Sequence, residues 1–547
     1  MPNAADIIAR RLYDAGCRYA FGIPGGETLT LMAALKAAGL EFVLTKQENC
    51  AGFMAEGTFH ASRAPGVLMA TLGPGVANAV TVIANAMQDR VPLIVLTGCV
   101  DAADALTYTH QVFDHHALLA PITKASLTVS DGAVDTVVDK AVAIALDDQP
   151  GPVHLDVPVT VAASPQAGVA GVQRVRPAPM APAAGPELER ARRYLQDATR
   201  PLMIAGVDVL HHDAAAAVAS MAQDFNIPLI TTYKAKGVVS EENPLCLGAA
   251  GLSPTADKFL LPLVKQSDLI LLAGYDPIEM RSPWRDAWDR HTPVVEFAST
   301  PNTHYMHQAR ISFVGHVGAG LQALREGIEA KHATWPGKEP DAARLAMKST
   351  FRADEEWGPA AVADTIRQVL PRNGVATVDS GAHRILLSQV WECYAPRTLL
   401  QSSALGAMGS ALPLAIGYKL VETQRPVVAF TGDAGLEMVL GELATLRDLK
   451  LGMVVVVFVD EQLGLIELKQ RSAGFKNLGV DFGPTNFSAV AIAMGGYGAL
   501  VRNRNDLVQE FKTALARNTF TVLACAIGRR AYDGRLLVAL TLSRCAR

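Results

Sequence analysis

Short apolar runs alternate with longer amphipathic stretches along almost the whole chain. In the first 165 residues the runs Val67–Leu72, Pro92–Thr97 and Val153–Val157 are each closed by Gly or Pro, with helical periodicity between them. The opening MPNAADIIARRLYDAG has the spacing of an amphipathic helix. Most of the runs lack the in-out alternation of a one-sided strand, as expected of parallel strands covered by helices on both faces. Ala162–Gly185, rich in Ala, Pro and Gly, has no period and reads as a linker. The rhythm resumes from Pro186 to Ala333, with Pro201–Ala205, Pro228–Thr232, Leu269–Ala273 and Val294–Phe297 as strands. It breaks at a second polar seam, Trp335–Asp354, and restarts with Val375–Val378, Pro426–Thr431 and Met453–Val459. The pattern predicts an α/β chain of three consecutive parallel-sheet domains, residues 1–165, 186–333 and 355–532, with a tail at 533–547. From Leu536 onward that tail reads as unanchored.

Composition narrows the class. Of 547 residues 50% are apolar and 19% charged, enough to pack several cores and too little charge for a disordered chain. Lys+Arg 49 against Asp+Glu 53 leaves a net charge of -4 and no long basic run, which excludes a nucleic-acid partner. The longest apolar runs fall far short of the ~20 residues a membrane span needs, so a soluble cytoplasmic protein without membrane contact is expected. Seven cysteines (Cys17, Cys50, Cys99, Cys246, Cys393, Cys525 and Cys545) are scattered without a C-x-x-C and read as reduced thiols.

Chemistry gathers in two places. The first holds Gly22-Ile23-Pro24-Gly25-Gly26, then Gln47-Glu48-Asn49 opening a long helix, then Gly73-Pro74-Gly75-Val76-Ala77-Asn78 after a strand. Each glycine turn alone serves packing as readily as a ligand, and Glu48 alone could simply complement a helix dipole. In the third segment the run Pro426–Thr431 leads into Gly432-Asp433-Ala434-Gly435, and 27 residues after Asp433 a second run ends at Asp460, in Val459-Asp460-Glu461-Gln462-Leu463-Gly464. Two carboxylates at the C-terminal ends of two parallel strands suit Mg²⁺ shared with a ligand's phosphates. A strand-end Asp also commonly caps a helix, and spacing alone leaves that alternative open.

Taken together, these motifs resemble those of the thiamin diphosphate-dependent enzymes, specifically the acetolactate synthase branch, over Met1 to about Tyr532. The resemblance implies that Glu48 bonds N1′ of the cofactor's aminopyrimidine, that Asp433, Asp460 and the Gln462 carbonyl hold Mg²⁺, and that Pro24, Gly25, Pro74, Asn78, Ala434, Gly435, Gly464 and Leu465 contact thiamin diphosphate. In Leu405-Gly406-Ala407-Met408-Gly409, the Gly406 carbonyl would accept from the 4′-amino group and Met408 would be the apolar wedge. In Asp379-Ser380-Gly381-Ala382-His383, Gly381 and His383 would meet the diphosphate, although His383 could equally be structural. A water-shielded carboxylate beside N1′ favours the imino tautomer, which can take the proton from C2, and Val76, Met408 and Leu465 would supply an apolar setting.

His110-Gln111, with Asp114 and Pro121-Ile122-Thr123-Lys124, is similar to the substrate-facing loop of the FAD-independent catabolic acetolactate synthases, as are Gly274–Glu279 and Val480-Asp481-Phe482-Gly483. Lys469 stands where the biosynthetic branch has tryptophan. FAD is therefore not expected. The implied partners are a small 2-oxo acid, in the first place pyruvate, a carbonyl acceptor, and further copies of the chain: a homodimer or homotetramer whose sites combine Glu48 of one chain with Asp433 and Asp460 of another. Departures from the pattern at His115-His116 and at Leu463–Lys469 keep a 2-hydroxy ketone lyase and a simple 2-oxo acid decarboxylase open. A Rossmann nucleotide module lacks its G-x-G-x-x-G fingerprint. A catalytically silent regulatory relative would have lost Glu48, Asp433 or Asp460, and all three are present.

Overall fold

A computed structural model of the chain describes residues 1–167 and 177–536. The parts of the expected linker and tail at 168–176 and 537–547 lie outside the described residues. The fold holds three six-stranded sheets, every strand pair parallel, with helices packed on them. In spatial order the first sheet runs Glu41–Leu44, Tyr19–Ile23, Gly66–Ala70, Leu93–Cys99, Pro152–Pro158, Ala125–Thr128. The third runs Leu399–Gln401, Val375–Val378, Val427–Gly432, Val454–Val459, Thr521–Ala526, Tyr497–Val501. Numbered within their own segments, both follow the order 2-1-3-4-6-5. The central sheet, from Cys246–Ala249 through Leu229–Thr231, Pro201–Ala205, Leu269–Ala273 and Val294–Ala298 to Ile311–Val314, instead has the doubly wound order 3-2-1-4-5-6.

Two sequence expectations are corrected. The seam at Trp335–Asp354 contains a helix, Glu339–Phe351, with Pro340 in its first turn and Met347 and Phe351 buried on one side. Trp335, far from being a polar linker residue, is buried and donates its indole N–H to the Pro201 carbonyl at 2.8 Å. The tail is also anchored further than expected: Asp533 pairs with Arg471 at 2.6 Å, Arg535 with Glu355, and Leu536 is buried. Its hydrophobic side chain joins the same core as Trp335.

The first and third sheets are locked together by two helices, Glu48–Ser62 and Ala411–Val421. Glycine lets their backbones touch. A Cβ on Gly57 would lie 2.2 Å from the Leu414 carbonyl oxygen, and one on Gly417 would lie 1.8 Å from that of Met54. Phe53, Met54, Leu414, Ile416 and Leu436 then close a single core shared by the two segments. Among the described residues no helix is long and apolar enough to cross a membrane.

Candidate active site

The C-terminal edge of the third sheet carries the acidic pair. Strand Val427–Gly432 delivers Asp433, only 3% exposed, into a short helix. One carboxylate oxygen of Asp433 accepts the backbone N–H groups of Asp460 at 3.0 Å and Glu461 at 2.7 Å, and the other accepts Ala434 N–H at 2.9 Å. Glu461 turns those donors inward from a left-handed conformation, φ 56°. Burial, reinforced by the charge of Asp433, pushes the Asp460 carboxyl up to about 8, and burial also raises Asp433. The carbonyl of Gln462 accepts Gly464 N–H at 2.9 Å and retains a second lone pair. Gly464 has no room for a side chain, since a Cβ would lie 2.6 Å from Asp460 Oδ2.

Beside this pair, His383 is buried and stacked on Phe458, and burial drives its imidazole down to about 3, so it stays neutral. Its Nε2 has no hydrogen-bond partner among the described residues. Asp379, a residue whose role the sequence did not reveal, ties the neighbouring loops together: it accepts N–H groups from Gly409 at 2.9 Å and Ser410 at 3.1 Å, and the Thr431 hydroxyl at 3.0 Å. Gly435 packs so closely on Asp379 that a Cβ would lie 2.2 Å from its Oδ2. Gly406 adopts φ 67°, and Met408 and Leu465 are half-buried at the same edge. Val76 does not share that setting; it is fully buried in the core, because the turn Pro74–Asn78 points it inward.

The edge of the first sheet carries the other motifs. Glu48 is buried at the start of its helix and accepts from the Asn78 amide at 3.2 Å. Pro24 and Gly25 lie on the next turn, where a Cβ on Gly25 would sit 2.0 Å from Thr71 Oγ1. Gly73, with φ 68°, opens the turn that presents Pro74 and Asn78, both exposed. His110 and Gln111 are exposed on the following loop, and the Gln111 carbonyl packs against Gly73. No hydrogen bond or ion pair joins Glu48 to Asp433 or Asp460 within the described chain.

Behind this edge lies a directed chain of hydrogen bonds. Ionised Asp156 accepts from Thr97 at 2.6 Å and from His115 Nδ1 at 3.1 Å; burial alone would raise its carboxyl, but these donors outweigh it and hold it below the ordinary range. Thr97 has one proton to give, so His154 Nε2, 2.6 Å from the same hydroxyl, must be a donor. Burial lowers His154 to about 4, leaving it neutral with Nδ1 accepting from Ser126 at 2.7 Å, and His116 Nδ1 then donates to Ser126 at 2.6 Å. At the far end, His115 Nε2 accepts Gly73 N–H at 3.3 Å. His115 thus anchors the turn that carries Pro74 and Asn78.

Three models of the thiamine pyrophosphate enzymes match the chain in order: the N-terminal TPP binding domain at residues 2–118, the central domain at 188–324 and the C-terminal TPP binding domain at 379–525. The chain belongs to the thiamine pyrophosphate enzymes. Within that family it falls on the acetolactate synthase branch. It is 28% identical over 522 residues to an acetolactate synthase of Bacillus subtilis, covering 94% of this chain and 91% of that one. It is 30% identical over 520 residues to a probable 2-ketoarginine decarboxylase of Pseudomonas aeruginosa, covering 92% and 90%. A catabolic acetolactate synthase of Raoultella terrigena is 26% identical over 553 residues, covering 98% and 96%.

The thiamine pyrophosphate enzyme's residues fit its cofactor on physical grounds. Two buried carboxyls side by side, both raised, are a donor set that a hard divalent cation would stabilise in ionised form. The unpaired Nε2 of His383, beside backbone kept bare at Gly381 and Gly464 where a Cβ would strike His383 or Asp460, suits a diphosphate.

Proposed function

We propose that this thiamine pyrophosphate enzyme is a Mg²⁺-dependent, FAD-independent carboligase that decarboxylates a 2-oxo acid, in the first place pyruvate, and transfers the two-carbon unit to a second carbonyl compound, as acetolactate synthases do. The observation that carries the reading is the pairing of the buried Asp433–Asp460 set with buried Glu48 and its partner Asn78 on equivalent edges of two like-ordered sheets. When bound, thiamin diphosphate supplies the nucleophilic carbon and the electron sink for decarboxylation. Asp433, Asp460 and the Gln462 carbonyl hold the metal; Gly381, His383, Ala434 and Gly435 receive the diphosphate; and Glu48, shielded from water, holds a proton at the pyrimidine N1′. Gly406 and Met408 orient the aminopyrimidine, and His110 and Gln111 meet the substrate. Leu405, Met438 and Ile466 are exposed around the acidic pair in the single chain, and such apolar side chains at a ligand edge support coverage by a second copy that brings its own Glu48. The active unit is then a homodimer or a pair of them.

The 30% likeness to a probable 2-ketoarginine decarboxylase favours a second reading, simple decarboxylation of a 2-oxo acid. Product analysis separates the two. With pyruvate, thiamin diphosphate, Mg²⁺ and no FAD, 2-acetolactate is the expected product. Acetaldehyde alone would establish the decarboxylase, and inertness toward pyruvate with cleavage of acetoin or benzoin would establish a lyase.

A further inference from the structure

A cavity of about 340 Å³ lies between the central and third segments, walled by strand Cys246–Ala249 and by the helices Glu339–Phe351, Pro359–Val369 and Ala382–Val390. None of its lining residues belongs to the Glu48, Asp433 and Asp460 set. Its walls take apolar surface from Met347, Phe351, Trp391 and Tyr394, and three of its lining residues carry hydrogen-bond donors that find no acceptor among the described residues. Trp391 is 1% exposed and its indole N–H has no partner among the described residues; the same holds for Nε of Arg367, itself 7% exposed, and of Arg344. Buried donors left unpaired are uncommon in folded proteins, and three around one cavity point to an acceptor that occupies it.

The charges give the acceptor's sign. Each carboxylate on the lining already has a cation: Glu241 pairs with Lys236 at 2.5 Å, Glu392 with Lys348 at 3.4 Å, and Asp364 with Arg504 at 2.7 Å. Arg344 and Arg367 have no carboxylate partner among the described residues. Arg367 is held in place, its Nη2 donating to the Leu370 and Pro371 carbonyls at 2.8 and 3.0 Å and its guanidinium lying over Trp391 and Tyr394. Two positive groups, one of them held in place, beside aromatic walls suit an anion with an apolar body better than an inorganic ion, which would leave those walls against water.

We propose that this cavity binds a small organic monocarboxylate with a planar or branched apolar body, at a site separate from the catalytic one. The volume admits a ligand of about ten to fifteen non-hydrogen atoms. Phenylacetate is a suitable probe, titrated by calorimetry into the full chain saturated with thiamin diphosphate and Mg²⁺. Saturable binding is expected, weakened about tenfold or more by Arg344→Gln and several-fold by Trp391→Phe, which keeps a ring and loses the N–H. Glu48→Gln should leave it unchanged. Absence of binding up to ~20 mM, well above a millimolar Kd, overturns the proposal, as does binding that Arg344→Gln does not alter. A probe displaced by Glu48→Gln but indifferent to Arg344→Gln sits in the catalytic site and also overturns it. Arg344 is a half-buried helix position, so its variant decides the matter even if Trp391→Phe fails to fold.

Discussion

Replacing His115 by alanine tests whether the buried chain of hydrogen bonds serves the cofactor or only the fold. The imidazole is 4% exposed, donates to ionised Asp156 at 3.1 Å and accepts Gly73 N–H at 3.3 Å. A hydrogen bond to a charged group contributes about 1.5–3 kcal/mol and a neutral one about 1 kcal/mol, and truncation also leaves a cavity, so His115→Ala should cost about 3–5 kcal/mol in all. Only the Gly73 share reaches the turn that presents Pro74 and Asn78. That share, about 1 kcal/mol, is about a fivefold rise in the Kd of thiamin diphosphate. Thr97→Val removes a donor from the same carboxylate without touching Gly73; it should lower stability by about 2 kcal/mol and leave cofactor affinity alone. Urea unfolding and calorimetric titration of the cofactor read the two effects separately. If His115→Ala binds cofactor as the wild type does, or Thr97→Val weakens it equally, His115 does not act through Gly73.

Three further outcomes are expected. Chelating Mg²⁺ with EDTA, or Asp433→Ala, should weaken thiamin diphosphate binding about a hundredfold or more, because the diphosphate then faces buried carboxylates directly; equal affinity with and without EDTA refutes the metal bridge. Glu48→Gln should keep cofactor affinity within about tenfold, a ~1.4 kcal/mol change, while lowering turnover at least about a hundredfold; refolded together with Asp433→Ala it should recover about a quarter of wild-type activity, half the dimers being mixed and each holding one intact site, and recovery no greater than either variant alone would place both groups in one chain's site. Burial raises Glu56 from its ordinary value of 4.5 to about 7, so the folded state holds the proton more tightly than the unfolded chain, and the group's contribution, complete below about pH 4.5, is lost as pH rises through 7. Glu56→Gln stays neutral and should match the wild type in urea at pH 4 yet exceed it by about 3 kcal/mol at pH 8; equal stability at both values would show that Glu56 ionises freely.

The twelve internal strands and the six at sheet edges were not equally legible in the sequence. The apolar runs found ten internal strands, several with the observed ends, as at Pro201–Ala205 and Leu269–Ala273. All six edge strands escaped: Glu41–Leu44, Ala125–Thr128, Cys246–Ala249, Ile311–Val314, Leu399–Gln401 and Tyr497–Val501. They span three to five residues, and those such as Glu41–Leu44 and Tyr497–Val501 expose side chains to water, so no continuous apolar run marks them. The glycine turns and strand-end aspartates were legible because each is a local pattern. The histidine chain was not, because parallel pairing assembles it: Thr97 lies opposite Asp156 and Ser126 opposite His154 on neighbouring strands. Asp379 stood at a recognisable strand end, but only the fold brings Gly409, Ser410 and Thr431 to it.

The glycine-mediated crossing of helices Glu48–Ser62 and Ala411–Val421 also sets a schedule for biosynthesis. The side of the first helix that Leu414 and Ile416 cover stays open until residues some 350 positions later leave the ribosome. At ~5–20 residues per second that interval is about 20–70 s, long compared with the collapse of a nascent domain. The N-terminal sheet must therefore wait, with Phe53 and Met54 incompletely covered, for a partner at the other end of its own chain, and during that wait it is a natural client for a chaperone.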